Sequence, residues 1–169
     1  FPSPSNAHWL PWLQQKFLRS GMLCQALEMP ATYQPVYESW KKTFSQINTY
    51  DLSVVVGHSA GCGFILKYLS ENPTITLKKL ILVAPSKDPY QKYGDFLQGP
   101  LDPDLEKRVA EIHILYSTNE SVKGIAETKD ALLALYKTAQ LHTFPDKKHF
   151  LLRHLGGPAF PELWAICRD

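Results

Sequence analysis

Apolar residues recur along this chain in two alternating rhythms, short continuous runs and stretches at helical spacing. From Trp9 to Arg19, "WLPWLQQKFLR" sets Leu10, Leu13, Phe17 and Leu18 on one stripe, the signature of an amphipathic helix. "MLCQALEMP", Met22 to Pro30, reads as a strand stopped by proline. Val36, Trp40, Phe44 and Ile47 then mark a second helix face, followed by a buried strand in "LSVVVG". Phe64, Ile65, Tyr68 and Leu69 define the next helix, and Leu77 to Pro85 ("LKKLILVAP") the next strand. The Pro/Gly-rich "SKDPYQKYGDFLQGPLDP" reads as a surface loop. A helix is expected over "DPDLEKRVAE", with Asp102 as its cap and Pro103 in its first position. "IHILYS" (Ile112 to Ser117) is a strand, and "ETKDALLALYKTA" a helix with Leu132, Leu133 and Tyr136 inward. "LHTFP" supplies the last strand and "FPELWAICRD", with Pro161 at its start, a short closing helix.

This β–α alternation, with strands apolar almost throughout, predicts an α/β fold: a parallel sheet covered by helices on both faces. There is no internal repeat or low-complexity linker, so residues 1–169 are expected to form a single domain.

Composition adds mostly exclusions. Apolar residues make up 44% and charged residues 20% of the chain, as in ordinary globular proteins. A net charge of +2 gives no case for nucleic acid, and the pairs Lys41-Lys42, Lys78-Lys79 and Lys147-Lys148 are scattered, as on a solvated surface. No apolar run has the length of a membrane span, and "FPSPSNAHW" lacks the order of a secretory signal. Cys24, Cys62 and Cys167 are far apart, and the six histidines form no HExxH pair, so no metal and no cofactor are expected. Free buried thiols in a reducing compartment suit a cytoplasmic protein.

The candidate chemistry lies in "VVVGHSAGCG", where Gly57-His58-Ser59-Ala60-Gly61 fits G-x-S-x-G between a strand and a helix. That context presents Ser59 as a nucleophile on a sharp turn. Gly57 and Gly61 would avoid the collisions of a β-carbon, and Gly63 would allow the same close packing further on. The N–H of Ala60, at the positive start of the helix, is placed to meet an oxyanion. An idle serine in a tight turn is the bland alternative; a phosphate loop would need G-x-x-x-x-G-K-[ST] and a dinucleotide loop G-x-G-x-x-G. A nucleophilic serine needs a histidine, and where a G-x-S-x-G elbow of this kind carries the nucleophile the chain order is Ser, acid, His. His149, in the loop "FPDKKHF" after the last strand, is favoured over His154, while His113 and His142 lie within strands. The acid is expected after "IHILYS", where Glu120 stands; Asp146, three residues before His149, is its rival.

The words "HWLPWLQQKF", "EMP", "ESWKKTF", "VVVGHSAG", "LILVAP", "ILYSTNES" and "FPDKKHF", in that order, resemble the small α/β-hydrolases that include the retinoblastoma-binding serine hydrolase and bacterial YdeN-like proteins. The resemblance implies a compact hydrolase without a large cap domain, with Ser59 and His149 as nucleophile and base. Its pattern departs here in three places. The family's acid is an Asp in an Asp-Pro turn, where this chain has Glu120-Ser121, and the Gly before the histidine is Lys148. The family's first strand and the turn after it have no counterpart here, and "FPSPSNAHW" reads as their downstream remainder. Residue 1 is therefore expected not to be the translation start. An L-x-C-x-E motif for the retinoblastoma pocket is not found, so that partner is not implied.

Together these readings predict a serine hydrolase acting on a small acyl ester, thioester or amide. The second oxyanion N–H would come from near Phe1 to Ser3, and His58, Trp9, Tyr90 and Tyr93 would rim the pocket. The competing class is a non-catalytic binding protein on a degenerate hydrolase fold. An acyltransferase of the G-H-S-x-G type is a weaker third.

Overall fold

A computed structural model of the chain describes residues 7–47 and 53–169. Its centre is one parallel sheet whose strands lie in chain order: β1 (Val54–His58), β2 (Leu77–Val83), β3 (Val109–Ser117) and β4 (Gln140–Phe144). Val54 to His58 run beside Lys79 to Val83, and Leu77 beside Val109. Both parities of β2 and β3 are apolar because both faces of the sheet are covered. Leu80, Leu82, Ile112 and Ile114 look toward helices α2 (Tyr37–Phe44), α3 (Ala60–Glu71) and most of α4 (Ile125–Leu135). Ile81, Val83 and Leu115 look the other way, toward α1 (Leu10–Arg19) and α6 (Pro161–Arg168). Each such side chain, fully buried, contributes roughly 1.5–3 kcal/mol. A short helix α5 (Leu152–Leu155) precedes α6. All four strands therefore end, at their C-terminal tips, along one rim. Among the described residues no helix is long and apolar enough to cross a membrane.

Several local expectations are corrected. Met22 to Pro30 is irregular, not a strand, and Leu23 is 98% exposed. A strand needs a neighbouring backbone, and among the described residues none pairs with this segment. It is tethered instead by side chains, Trp40 Nε1–H to the Pro30 carbonyl at 2.7 Å and Gln14 to the Cys24 carbonyl at 3.4 Å.

The helix expected after Asp102 is only a 3₁₀ turn, Leu105–Lys107, because Val109 already belongs to β3. Asp102 accepts the Asp104 N–H at 2.8 Å and the Arg108 guanidinium at 2.6 Å. Arg108 also reaches the carbonyls of Leu69 and Ile75, so this turn is pinned to the end of α3. Leu18 and Val36 are exposed despite their helical spacing. Lys79 is the reverse case: it is 1% exposed, its Nζ donating to the Ile166 carbonyl at 2.8 Å beside Glu111 at 3.4 Å.

The glycines also divide differently. A β-carbon on Gly57 would lie 2.9 Å from Ile65 Cδ1 and 3.0 Å from Cys62 Cα, and one on Gly63 2.2 Å from the Ser86 carbonyl oxygen. Among the described residues, one on Gly61 would meet nothing within 4 Å, so none of them requires a glycine there for clearance. Gly63→Ala should therefore destabilise the fold by about 3 kcal/mol or prevent it. Gly61→Ala, inside a helix, should be neutral or stabilising by up to about 1 kcal/mol. Denaturant melts of the two variants check this ranking, which equal losses would refute.

Candidate active site

Ser59 occupies the step from β1 into α3 with φ 53° and ψ −122°, a backbone state that L-residues rarely hold. Its N–H donates to the Val83 carbonyl at 2.9 Å, and its own carbonyl accepts the N–H groups of Cys62 at 3.0 Å and Ser86 at 3.1 Å. Serine at a helix start ordinarily caps it through the side chain. Here no side-chain cap bond forms, and the Oγ lies 3.0 Å from His149 Nε2. Ala60 opens α3, so its N–H belongs to the first turn, whose donors have no acceptor within the helix.

His149 is carried by the loop after β4, with Lys148 at φ 42° and Phe150 at φ 53° on either side of it. The positive φ at Lys148 is a conformation that glycine would adopt without strain. Two side chains from the tip of β3 hold this loop. Ser117 Oγ accepts the Lys147 N–H at 2.9 Å, and Asn119 Oδ1 accepts the Lys148 N–H at 2.8 Å. Sequence reasoning passed over both residues; their only signal was two small polar side chains at and just beyond the end of an apolar strand.

Glu120 follows in the same turn, its side chain only 2% exposed. One oxygen lies 2.7 Å from His149 Nδ1, and the other accepts the N–H groups of Ser121 and Val122, each at 2.8 Å. Burial pushes the Glu120 carboxyl up, but the bond to His149 and these two N–H groups outweigh it and hold the group below its usual range. A carboxylate can only accept, so Nδ1 of His149 carries the ring proton. Nε2 is then the bare nitrogen facing Ser59.

The structure thus brings Ser59, His149 and Glu120 into one hydrogen-bonded line. Asp146 is exposed, and it is Glu120 that meets Nδ1. His154 stands behind His149, its Nδ1 accepting the N–H groups of His149 at 3.2 Å and Leu151 at 3.3 Å. His113 and His142 bond to each other within the sheet at 3.0 Å.

The expected pocket rim is largely reassigned. Trp9 is wholly buried in the core, with Nε1–H bound to the Phe150 carbonyl at 3.0 Å. Tyr90 is exposed and donates to Glu127 at 2.6 Å. Tyr93 lines a hollow of about 390 Å³ with Lys67 and Phe96, to which none of Ser59, Glu120 and His149 contributes. His58 alone adjoins the site, its Nε2 lying 3.0 Å from the His149 carbonyl. Phe1 to Ser3, expected to give the second oxyanion donor, lie outside the described residues.

Comparison with known proteins agrees with this architecture. A family model described as Serine hydrolase matches residues 1–149. The chain is 30% identical over 161 residues to the hydrolase YdeN of Bacillus subtilis (strain 168), covering 89% of this chain and 82% of that protein. The crystal structure of the B. subtilis ydeN gene product superposes with a TM-score of 0.84 at 26% identity, over 98% of this chain and 91% of that one. A YdeN-like hydrolase from Pectobacterium atrosepticum gives 0.70 at 16% identity, over 98% and 83%. A mutant of the meta-cleavage product hydrolase CumD gives 0.66 at 14% identity, over 98% and 86%. The last two show the α/β-hydrolase fold alone. With the family model matching most of its length and YdeN similar across nearly all of it, the chain belongs to the serine hydrolase family, among its YdeN-like members.

Proposed function

We propose that the chain hydrolyses a small acyl ester, thioester or amide through a Ser59–His149–Glu120 triad. The observation that carries this reading is the line from Ser59 Oγ to His149 Nε2 at 3.0 Å and from His149 Nδ1 to Glu120 at 2.7 Å. Ser59 Oγ attacks the acyl carbonyl while His149 Nε2 takes its proton. Glu120 stays ionised, fixes the ring orientation and offsets the imidazolium charge. The Ala60 N–H, at the positive end of α3, faces the oxyanion of the tetrahedral intermediate. His149 then protonates the leaving group, and a water activated by the same nitrogen releases the acyl group from Ser59. The buried thiols of Cys62 and Cys167 suit a reducing compartment, and we place the protein in the cytoplasm.

A fluorophosphonate probe tests the nucleophile. The wild-type protein should take up one label, seen by intact mass, and Ser59→Ala none. An unlabelled wild type would leave the non-catalytic binding protein as the better reading.

The acid is tested by ranking two substitutions. Glu120→Gln should lower kcat by about 10⁴-fold, as an Asp→Asn change does in other triads. Asp146→Asn should cost less than about tenfold, since its carboxylate is solvated. Ester hydrolysis by both variants gives the ranking, and the opposite order would move the acid to Asp146.

Glu120 also predicts how stability responds to acid. Its carboxyl is held below the ordinary value of 4.5, so it stabilises the fold above that pH. The contribution fades as pH falls from there through the lower folded value. Thermal melts from about pH 7 to pH 3 should show the wild type losing its advantage over Glu120→Gln in that acidic window. A constant difference between the two would contradict it.

A further inference from the structure

We propose that His58 is a positioning residue, whose Nε2–H grips the backbone carbonyl of His149 and so sets where the base meets Ser59. The inference rests on the triad reading above and adds to it the part that keeps base and nucleophile in register.

The contact is 3.0 Å long, and a carbonyl oxygen only accepts. His58 therefore carries its proton on Nε2. The ring packs edge-on against Trp9 with centroids 5.8 Å apart and against His8 at 6.2 Å, and it lies 5.0 Å from the His149 ring. Burial, and then the positive charge that His149 takes on, lower the His58 pKa to about 3, so the ring stays a neutral donor. Neutrality matters here. A cation this close would oppose the imidazolium that His149 must become during acyl transfer.

The loop that carries His149 needs such a hold. Lys148 and Phe150, on either side of it, both have positive φ, and a peptide between two strained residues relaxes unless its polar groups are fixed. Three ring nitrogens fix it. His154 accepts the His149 N–H, Trp9 donates to the Phe150 carbonyl, and His58 donates to the His149 carbonyl. Only His58, of these three, is the covalent neighbour of the nucleophile. It ties the elbow of β1 directly to the base loop beyond β4, without passing through the substrate. A shift of about 1 Å between reacting groups is worth roughly 10²-fold in rate.

Two substitutions separate position from bulk. His58→Phe keeps a ring of similar volume and removes the donor, while His58→Gln returns an amide N–H close to where Nε2 lies. With p-nitrophenyl acetate, His58→Phe should lose about 10²-fold in kcat with little change in KM, and His58→Gln should recover most of it. Fluorophosphonate labelling of Ser59 should slow in the same ratio. A second measurement needs neither turnover nor a variant. In ¹⁵N-histidine NMR of the wild type, His58 should remain a neutral Nε2–H tautomer from about pH 5 to 8. Full kcat in His58→Phe, equal losses in both variants, or a His58 ring that titrates in that range or carries its proton on Nδ1 would each overturn the inference. A wild type inert to fluorophosphonate, with the His58 tautomer as expected, would sink the triad reading and leave the placement of His149 by His58 standing.

Discussion

The backbone of Ser59 is the constraint on which the rest of this structure turns. An L-residue at φ 53° and ψ −122° is strained, and the strain persists only because neighbouring groups over-determine it. The Val83 carbonyl takes the Ser59 N–H, and two N–H groups, from Cys62 and Ser86, take its carbonyl. The first of these bonds requires β2 beside β1. The last requires the loop after β2 to lie on α3, and Gly63 permits it, since any β-carbon there would strike the Ser86 oxygen. So the parallel pairing of two strands, one helix and one loop is spent on turning a single hydroxyl out of the helix cap that serine would otherwise make.

His149 and Glu120 are held in a related way, by loops that stabilise one another. Ser117 and Asn119, at the tip of β3, accept backbone N–H groups of the loop after β4, and Glu120 follows them in the same turn. The Thr118 N–H adds a bond to the Phe144 carbonyl at 2.8 Å. A buried carboxylate is costly unless its lone pairs are occupied. Glu120 meets that condition with two N–H donors on one oxygen and the imidazole on the other. The extra methylene relative to aspartate is accommodated by a turn in which the carboxylate folds back onto the N–H groups of the next two residues.

Histidines do quite different work elsewhere in the sheet. His113 lies against Glu111 at 3.1 Å through Nε2 and against His142 at 3.0 Å through Nδ1, and Glu111 in turn neighbours the buried Lys79. Since the carboxylate accepts the Nε2 proton, Nδ1 of neutral His113 accepts from His142. Burial lowers the pKa of both rings. This chain of polar groups satisfies side chains that a doubly covered sheet would otherwise leave unpaired, and it shares no residue with the Ser59 line.

By itself the sequence determined the periodic part of this protein. The apolar runs of the inner strands and the helices between them specified the parallel sheet, because burial on both faces demands apolar residues at both parities. The step from "VVVGH" into a helix marked Ser59, and loop position after a strand marked His149 and Glu120. What only the tertiary structure decided depends on neighbours remote in the chain. Met22 to Pro30 has strand-like residues but, among the described residues, no strand pairs with it, and the helix after Asp102 gives way to the pairing of Val109 with Leu77. Lys79 reads as surface yet is buried, because its nitrogen finds a carbonyl on α6. Gly61 and Gly63 are alike in sequence, and only the loop over α3 makes one of them indispensable. The grip of His58 on the His149 carbonyl joins residues 91 positions apart, a distance over which local pattern carries no information.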